Sequence, residues 1–291
     1  MRAREPDADG FVDRGPVRLH WERFGDGDPT LLLLPTWTII HARFWKAQVP
    51  YLARHFRVVT YDPRGNGRSD RPATAEAYDD EQFVADAVAV LEATGTGRAV
   101  LVALSRGGRW AAELAAARPE LVLGAVLIDP AFPYLAPIPR RQAFSFDEEL
   151  DTTEGWAKYN RHYWLREYRD FLEFFASQAF SEPHSTKQIE DMVGWGLETS
   201  PETLVATQLG AQPASREEME AVLGRVRCPV LVVHGSEDRV RPHAAGARLA
   251  ELTGGTLVTI GGGGHCPQAR HPVRVNLLIR EFVESLGGTA R

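Results

Sequence analysis

Short apolar segments alternate with longer amphipathic segments along this chain, and this alternation limits the folds that it can adopt. A short apolar segment that ends at a turn is typical of a strand buried on both faces, whereas the amphipathic segments have the period of helices. Strands and helices that alternate in this way form a mostly parallel sheet with helices on both faces. The sequence therefore predicts an α/β fold with an eight-stranded sheet.

The predicted strands and helices lie outside the central part of the chain. The strands are residues 11–13, 17–24, 30–34, 57–61, 99–104, 123–128, 229–233 and 256–260. The helices are residues 44–56, 80–93, 106–117, 243–252 and 273–286. Residues 17–24 alternate apolar and polar side chains, which indicates an antiparallel strand with one exposed face.

Residues 132–224 differ in pattern from the rest of the chain. They contain no convincing strand and are rich in aromatic residues: Trp156, Tyr159, Tyr163, Trp164, Tyr168, Phe171, Phe174 and Phe175. We predict that residues 132–224 form a helical cap over the sheet, inserted between two parts of one core, residues 1–131 and 225–291. The aromatic side chains then form the cap's own small core or line an apolar cleft.

Charge and composition exclude several classes of function. The 291 residues include 33 lysines and arginines against 39 aspartates and glutamates, a formal net charge of −6, whereas nucleic-acid binding requires a basic surface. No segment approaches the roughly 20 apolar residues of a membrane helix. The expected partner is a small-molecule substrate, with no nucleic acid and no membrane, and the sequence does not decide between a monomer and a homodimer.

The location of the protein is predicted from features that the sequence lacks. The first residues contain no apolar segment typical of a secretory signal. Cys228 and Cys266 do not have the spacing of metal ligands and are expected to be reduced, and the histidines show no zinc-binding pattern. These observations favour a cytoplasmic protein without a bound metal.

One serine stands where a buried strand is predicted to turn into a helix. Residues 102–108 read VALSRGG, so that Ser105 has Ala103 two positions before it and Gly107 two positions after it. Small residues at these positions allow the tight turn of a nucleophile elbow, which exposes a serine at the start of a helix. Glycine is more usual than alanine at the first position, but both are small. We therefore identify Ser105 as the candidate nucleophile.

Two further candidates follow the last two predicted strands. Asp238 comes shortly after residues 229–233, at the end where open parallel sheets place their functional sites. His265 follows four consecutive glycines, which give the chain the freedom to bring the imidazole into a cleft. A serine hydroxyl is a weak nucleophile and needs an adjacent base. His265 is therefore the candidate base, and Asp238 is the candidate acid that orients it.

These motifs resemble those of the α/β-hydrolase superfamily, in the branch with a helical cap that includes esterases, lactonases, proline iminopeptidases and carbon–carbon bond hydrolases. The order serine, aspartate, histidine along the chain is the order of that fold. Residues 62–69 read DPRGNGRS and match the D-x-R-G-x-G-x-S loop of this branch. The resemblance extends from Val17 to the C-terminus and is weak only across the cap. It implies an α/β-hydrolase sheet and an activity that needs no cofactor.

The resemblance also implies where an oxyanion would bind. Relatives carry His-Gly after the third strand, whereas this chain reads Pro35-Thr36-Trp37. By position, the donors are the backbone N–H groups of Trp37 and Arg106, with the Thr36 hydroxyl as an alternative donor. With a threonine at this position, the chain resembles hydroxynitrile lyases of the same fold, so a lyase activity is an alternative.

Two residues near the predicted triad have alternative interpretations. Some branches of the superfamily place the acid at the end of the sixth strand, so Asp129 is an alternative to Asp238. Arg106 is unusual directly after a nucleophile. Its guanidinium either binds an acidic group of the substrate or pairs with a nearby carboxylate such as Asp129.

The function expected from these residues is acyl transfer to water. The predicted enzyme is a serine hydrolase that cleaves an ester or lactone of a small, largely apolar substrate through an acyl-enzyme on Ser105. The alternatives are an amide or carbon–carbon bond hydrolase, a lyase or cyclase that uses the same triad, and a binding protein on the same scaffold. Because the elbow carries serine and not a carboxylate, an epoxide hydrolase or haloalkane dehalogenase is not expected.

Overall fold

One eight-stranded sheet forms the centre of the computed structural model, which describes residues 4–213 and 215–287. The strands are β1 (Ala8–Arg14), β2 (Val17–Phe24), β3 (Thr30–Leu33), β4 (Arg57–Tyr61), β5 (Ala99–Leu104), β6 (Val122–Ile128), β7 (Val230–Gly235) and β8 (Thr256–Ile260). Their order across the sheet is β1-β2-β4-β3-β5-β6-β7-β8. The two pairs that involve β2 are antiparallel, and all other neighbours are parallel. The predicted fold class is confirmed.

Within residues 4–213 and 215–287, twelve α-helices connect or cover these strands. They are α1 (Val49–Leu52), α2 (Asp80–Ala93), α3 (Arg106–Ala117), α4 (Pro139–Gln142), α5 (Arg161–Arg166), α6 (Tyr168–Ala179), α7 (Thr186–Gly196), α8 (Pro201–Leu209), α9 (Arg216–Leu223), α10 (His243–Thr253), α11 (Pro267–Arg270) and α12 (Pro272–Gly287). Four short 3-10 helices span Ala42–Trp45, Ala75–Tyr78, Pro119–Leu121 and Gly155–Lys158. None of the described helices is long and apolar enough to cross a membrane.

The predicted helix over residues 44–56 is wrong. The structure instead has a 3-10 helix that ends at Trp45 and the separate, shorter helix α1, which begins at Val49. Pro50 lies in the first turn of α1. A proline has no N–H to donate to the preceding turn and is tolerated only in the first turn of a helix, so a continuous helix through this position is disfavoured.

Successive side chains of the central strands pack on opposite faces of the sheet, as the geometry of a strand requires. Leu31 and Leu33 of β3 belong to a buried apolar cluster that also contains residues of α1, α12 and the segment between β6 and β7. Leu32, between them, belongs to a second cluster with residues of α2, α3 and α10. Because helices cover both faces, β3, β5 and β7 are buried throughout. Their carboxyl ends meet at the edge where the candidate residues lie.

The segment between β6 and β7 is helical in the part of the chain that the structure describes. It contains α4 to α9 and no strand. The last of these helices, α9, packs against α3 and α10, which belong to the predicted core. The division of the chain into a core and a cap at residues 131 and 224 stays a prediction.

A buried ion pair anchors the loop that follows β4. Arg64 donates from Nε to Asp86 Oδ2 at 2.7 Å and from Nη2 to Asp86 Oδ1 at 2.5 Å. The two side chains are only 2% and 1% exposed. Arg64 also donates to the carbonyl oxygen of Ala77. This ion pair therefore ties the glycine-rich loop of residues 62–69, which follows β4, to α2.

Breaking this ion pair should destabilise the fold. Asp86→Ala leaves the Arg64 guanidinium buried without its carboxylate, and we expect the free energy of unfolding to fall by about 3–5 kcal/mol. Denaturant-induced unfolding measures this loss. Glu284→Ala is the control, because Glu284 pairs with Arg280 on the exposed surface of α12 and should contribute little. Equal losses in the two variants would contradict the importance of the buried pair.

Candidate active site

Ser105 lies between β5 and α3 in a backbone conformation that is rare for serine. Its φ is 52° and its ψ is −119°. Its N–H donates to the carbonyl oxygen of Ile128 at 2.9 Å, and its own carbonyl accepts from the N–H of Ala131 at 2.8 Å. These bonds to β6 and the residues after it hold the strained backbone in place. The structure thus has the strand–turn–helix geometry of the predicted elbow.

Gly107 allows α3 to approach the loop that follows β3. A Cβ atom at this position would lie 2.2 Å from the carbonyl oxygen of Pro35, much closer than a carbon and an oxygen can approach. The absence of a side chain therefore brings Thr36 and Trp37 beside the start of α3. This contact explains why the second small residue of the elbow pattern is a glycine.

The structure brings the three predicted triad residues together. His265 Nε2 lies 2.9 Å from Ser105 Oγ, and His265 Nδ1 lies 2.7 Å from Asp238 Oδ2. The imidazole is buried, whereas Ser105 is partly exposed. This geometry permits His265 to accept the serine proton at Nε2 while Asp238 fixes the imidazole through Nδ1.

The carboxylate of Asp238 is fully buried and is surrounded by donors. Its Oδ1 accepts from the backbone N–H groups of Val240 and Arg241, at 2.7 and 2.9 Å. Burial acts to raise the pKa of Asp238, but the charge of His265 and hydrogen bonds from His234 and His265 hold this pKa below its usual range. Asp238 is therefore ionised in the folded protein, as an acid that orients a histidine must be.

Asp129 lies behind the triad and does not contact His265. Its Oδ1 accepts from the N–H of Gly235 at 2.8 Å, and its buried Oδ2 has no hydrogen-bond partner among the described residues. Burial and the negative charge of Asp238 raise the pKa of Asp129 well above its usual range. We infer that Asp129 is the protonated member of this pair of acids. The structure thus favours Asp238, and not Asp129, as the partner of His265.

His234 completes this buried group. Its Nε2 lies 3.3 Å from Asp238 Oδ2 and 3.5 Å from Asp129 Oδ1. One ligand atom from each of these three residues lies within 4.8 Å of the others, a spacing that a metal ion could use. Asp238 Oδ2 also accepts from His265, so that a metal would compete with the triad for this oxygen. The residues fit the triad better than a metal centre.

The two predicted oxyanion donors lie on either side of the elbow. Among the described residues, no acceptor is bonded to the backbone N–H of Trp37 or of Arg106. Arg106 is the first residue of α3, where an N–H has no partner within the helix. Free N–H groups at a helix start attract negative charge. Both groups are therefore available to an oxyanion.

The side chain of Trp37 anchors the loop to the helical segment above it. Its Nε1 donates to Thr207 Oγ1 of α8 at 2.8 Å. The indole ring packs against aromatic residues from the segment between β6 and β7, namely Tyr159, Trp164, Phe171 and Phe175. Four of the eight aromatic residues singled out in the sequence thus pack around Trp37.

The observed contacts of the Arg106 side chain with described residues include no carboxylate. The guanidinium donates to the carbonyl oxygen of Thr207 at 2.8 Å and to Gln208 Oε1 at 2.7 Å, both near the end of α8. It makes no ion pair with Asp129 in the described structure, and it does not line the cavity at Ser105. Arg106 therefore connects the elbow to α8 through uncharged acceptors.

The loop that carries His265 is also held by the segment between β6 and β7. The N–H of His265 donates to the carbonyl oxygen of Ala179 at 3.1 Å, and the N–H of Gly264 donates to Glu182 Oε1 at 2.8 Å. A Cβ at Gly264 would lie 3.0 Å from Glu182 Oε2. Glycine is thus needed here for a close contact as well as for flexibility. No local pattern in the sequence identifies Glu182.

A cavity of about 100 Å³ lies beside Ser105 and His265. Its wall is mainly apolar and includes Ile39, Ile40, Phe44, Leu104, Phe175, Ala179, Phe180 and Met192. Charged side chains line another part, where Lys46 and Lys187 both pair with Asp191. Thr36 also lines the cavity, and its buried hydroxyl has no hydrogen-bond partner among the described residues.

Comparison with known proteins shows the family of this chain. A family model described as alpha/beta hydrolase fold matches residues 29–272. The chain belongs to the alpha/beta hydrolase fold family. It is a hydrolase of this family, as the resemblance of its motifs predicts.

Relatives in the alpha/beta hydrolase family differ in their substrates. The chain is 29% identical over 270 residues to the putative carbamate hydrolase RutD of Variovorax paradoxus (strain S110), covering 91% of this chain and 96% of that protein. It is 28% identical to the 2-hydroxymuconate semialdehyde hydrolase of Pseudomonas sp. (strain CF600), with 84% and 83% covered. The crystal structure of the esterase RhEst1 from Rhodococcus sp. ECU1013 superimposes with a TM-score of 0.78 at 25% identity, over 95% of this chain and 98% of that one.

The contact between Gly107 and Pro35 should be essential to the elbow. Gly107→Ala places a methyl group against the carbonyl oxygen of Pro35, which should displace the loop with Trp37 and lower the free energy of unfolding by about 1–3 kcal/mol. The Gly107→Ala variant should also turn over a p-nitrophenyl ester more slowly than the wild type. Gly194→Ala is the control, because Gly194 lies exposed in α7 with no atom near its added Cβ. A fully active and stable Gly107→Ala variant would show that the contact is unimportant.

The two buried acids should respond differently to neutral replacement. Asp238→Asn puts an amide against donors and favours the wrong tautomer of His265, so we expect kcat to fall about 10⁴-fold. Asp129→Asn replaces a protonated acid by a neutral side chain of similar shape, so we expect a loss below about tenfold. Steady-state kinetics of both variants on one ester measures this difference. The reverse order would reassign the acid to Asp129.

Proposed function

We propose that the protein hydrolyses an ester or lactone of a small, largely apolar molecule through an acyl-enzyme on Ser105. One observation supports this more than any other: the hydrogen-bonded series Ser105, His265 and Asp238 ends at an apolar cavity. A serine activated by a histidine needs a substrate carbonyl held close to it, and a cavity at the hydroxyl provides room for one.

The first chemical step uses the two hydrogen bonds of His265. As Ser105 Oγ attacks the carbonyl carbon, its proton passes to His265 Nε2. The imidazole then becomes an imidazolium, whose charge is stabilised by the ionised and buried Asp238. The same hydrogen bond keeps the imidazole in the tautomer that has a free Nε2.

The carbonyl oxygen becomes an oxyanion during this attack. The N–H groups of Trp37 and Arg106 are the proposed donors to it, and removal of one such donor costs about 2.7–4 kcal/mol in barrier height. His265 next gives its proton to the leaving group. A water molecule then hydrolyses the acyl-enzyme by the same route, with His265 as the base.

The shape and chemistry of the cavity support a small apolar substrate. Its aliphatic and aromatic wall would bury a hydrocarbon part, and its volume of about 100 Å³ limits the size of that part. The cytoplasmic location and a homodimer stay proposals, and neither is needed for the mechanism.

A lyase is a second candidate function, and one observation favours it. The Thr36 hydroxyl lies in the same cavity wall as Ser105 and has no hydrogen-bond partner among the described residues. A free hydroxyl beside a serine–histidine pair could bind the oxygen of a hydroxyl-bearing substrate while His265 moves its proton. Turnover in ¹⁸O-labelled water distinguishes the two functions, because only hydrolysis incorporates the label into the acid product.

Labelling with a fluorophosphonate tests the proposed nucleophile. We expect one covalent adduct per chain in the intact mass of the wild type and none in Ser105→Ala, because only a serine activated by a base reacts readily. Turnover of short p-nitrophenyl esters should fall at least about 10⁴-fold in Ser105→Ala.

Ser285→Ala is the matched control for this experiment. Ser285 lies exposed on α12, where its hydroxyl donates to the carbonyl oxygen of Phe282. This variant should be labelled like the wild type. Equal labelling of Ser105→Ala and the wild type, both folded, would contradict the assignment of Ser105 as nucleophile.

A further inference from the structure

Three arginines near the triad have no acidic partner. Arg106, Arg141 and Arg241 make no ion pair with any described residue, and all three are only partly exposed. The residues outside the described ranges contribute no aspartate or glutamate side chain. Guanidinium groups that are withdrawn from water are normally paired, since an uncompensated buried charge is costly. The missing negative charge therefore needs an explanation.

Arg241 is the least satisfied of the three. Its Nε is buried without a hydrogen-bond partner, and no other hydrogen bond of its guanidinium to a described residue is found. Burial, with the positive charges of Arg141, Arg106 and Arg109, lowers the pKa of Arg241 to about 9, so the group is still charged at neutral pH. Its backbone N–H donates to Asp238 Oδ1, which places the residue directly beside the triad.

Tyr159 connects the other two arginines. The guanidinium carbon of Arg141 lies 3.7 Å from the centre of the Tyr159 ring. The Tyr159 hydroxyl donates to Gln208 Oε1 at 2.8 Å, and the same oxygen accepts from Arg106 at 2.7 Å. Tyr159 and Arg106 are also electrostatic neighbours of Arg241. These four residues form one group, the arginine cluster.

Nearby acids are already engaged and do not neutralise this cluster. Asp80 pairs with Arg109 at 2.7 Å and accepts from the indole of Trp110 at 2.7 Å. Asp238 accepts from His265 and from backbone donors. Asp129 accepts from the Gly235 N–H, and burial together with the charge of Asp238 raises the pKa of Asp129 well above its usual range. The arginine cluster is thus a site of uncompensated positive charge next to Ser105 and Asp238.

We propose that the arginine cluster binds an anionic group of the substrate, a carboxylate in chemical class, with Arg241 as the principal contact. Planar guanidinium groups match a carboxylate with two parallel hydrogen bonds. None of the three arginines lines the apolar cavity. The substrate would therefore place an apolar part in the cavity and its carboxylate at the cluster, with the cleaved bond at Ser105. This proposal rests on the proposed ester hydrolysis.

Two esters of equal chain length test the proposal by kinetics. The wild type should have a higher kcat/KM for mono-p-nitrophenyl glutarate, which carries a carboxylate, than for p-nitrophenyl pentanoate, which does not. Arg241→Gln should lower the ratio of these two kcat/KM values about 10- to 100-fold, the value of a charge-assisted hydrogen bond. Arg241→Lys, which keeps the charge, should restore part of the ratio.

Arg239→Gln is the matched control, because Arg239 lies exposed two positions away in the same loop. It should leave the ratio unchanged. If Arg241→Gln does not fold, Arg141→Gln removes a second charge from the cluster and should lower the ratio as well. An unchanged ratio in the folded Arg241 and Arg141 variants would overturn the proposal.

Binding of free glutarate separates this proposal from the proposed function. Glutarate should raise the thermal unfolding midpoint of the wild type and of Ser105→Ala, and should not raise that of Arg241→Gln. This result can be obtained even if neither ester is hydrolysed, in which case the proposed function fails and the anion site stands. A third outcome is that glutarate raises the unfolding midpoint only when Arg241 is present while the ratio of the two kcat/KM values stays unchanged in the variants. That result would show that the cluster binds an anion other than the substrate, and it would overturn the proposal that the substrate carboxylate binds there. No effect of glutarate on any variant, with an unchanged ratio, would refute the site.

Discussion

The backbone conformation of Ser105 is the constraint on which the candidate site depends. A serine with a φ of 52° is held there by hydrogen bonds to Ile128 and Ala131, on the neighbouring strand and just beyond it. The position of the nucleophile therefore depends on the parallel register of β5 and β6. Gly107 adds a second requirement, since only a residue without a side chain lets the loop with Pro35, Thr36 and Trp37 pack against α3. Sheet register and one close contact together determine where the hydroxyl lies.

The helices between β6 and β7 cover this site and also hold several of its residues in place through hydrogen bonds. The carbonyl oxygen of Ala179 and the carboxylate of Glu182 bind the loop of His265. Thr207 and Gln208 bind the Arg106 side chain at the elbow, and Thr207 also binds the indole of Trp37. These helices thus hold the loop of His265 and the side chains of Trp37 and Arg106, whose backbone N–H groups are the proposed oxyanion donors. A displacement of these helices would alter the geometry of the triad as well as access to it.

Charge is distributed unevenly around the triad. Two acids and one histidine are buried together behind His265, and one acid can remain protonated because its neighbour is ionised. Around Tyr159, by contrast, three guanidinium groups lack a counter-charge. The acids accept hydrogen bonds from nearby donors, and a carboxylate can lose its charge by taking up a proton, whereas an arginine has only donors and keeps its charge. This difference explains why an external anion is inferred for the arginines alone.

The sequence by itself predicted the sheet, the elbow, and Ser105 and His265 as the candidate nucleophile and base, because each depends on local patterns: apolar strands, small residues around Ser105, and side chains placed just after strands. It failed where distant segments meet. The contacts of Arg106 with α8, the role of Glu182 and the arginine cluster join residues from different segments of the chain, and the periodicity of a sequence does not show which segments meet. The choice between Asp238 and Asp129 was likewise made only by the tertiary structure, since both follow buried strands and only the folded chain brings one of them to His265.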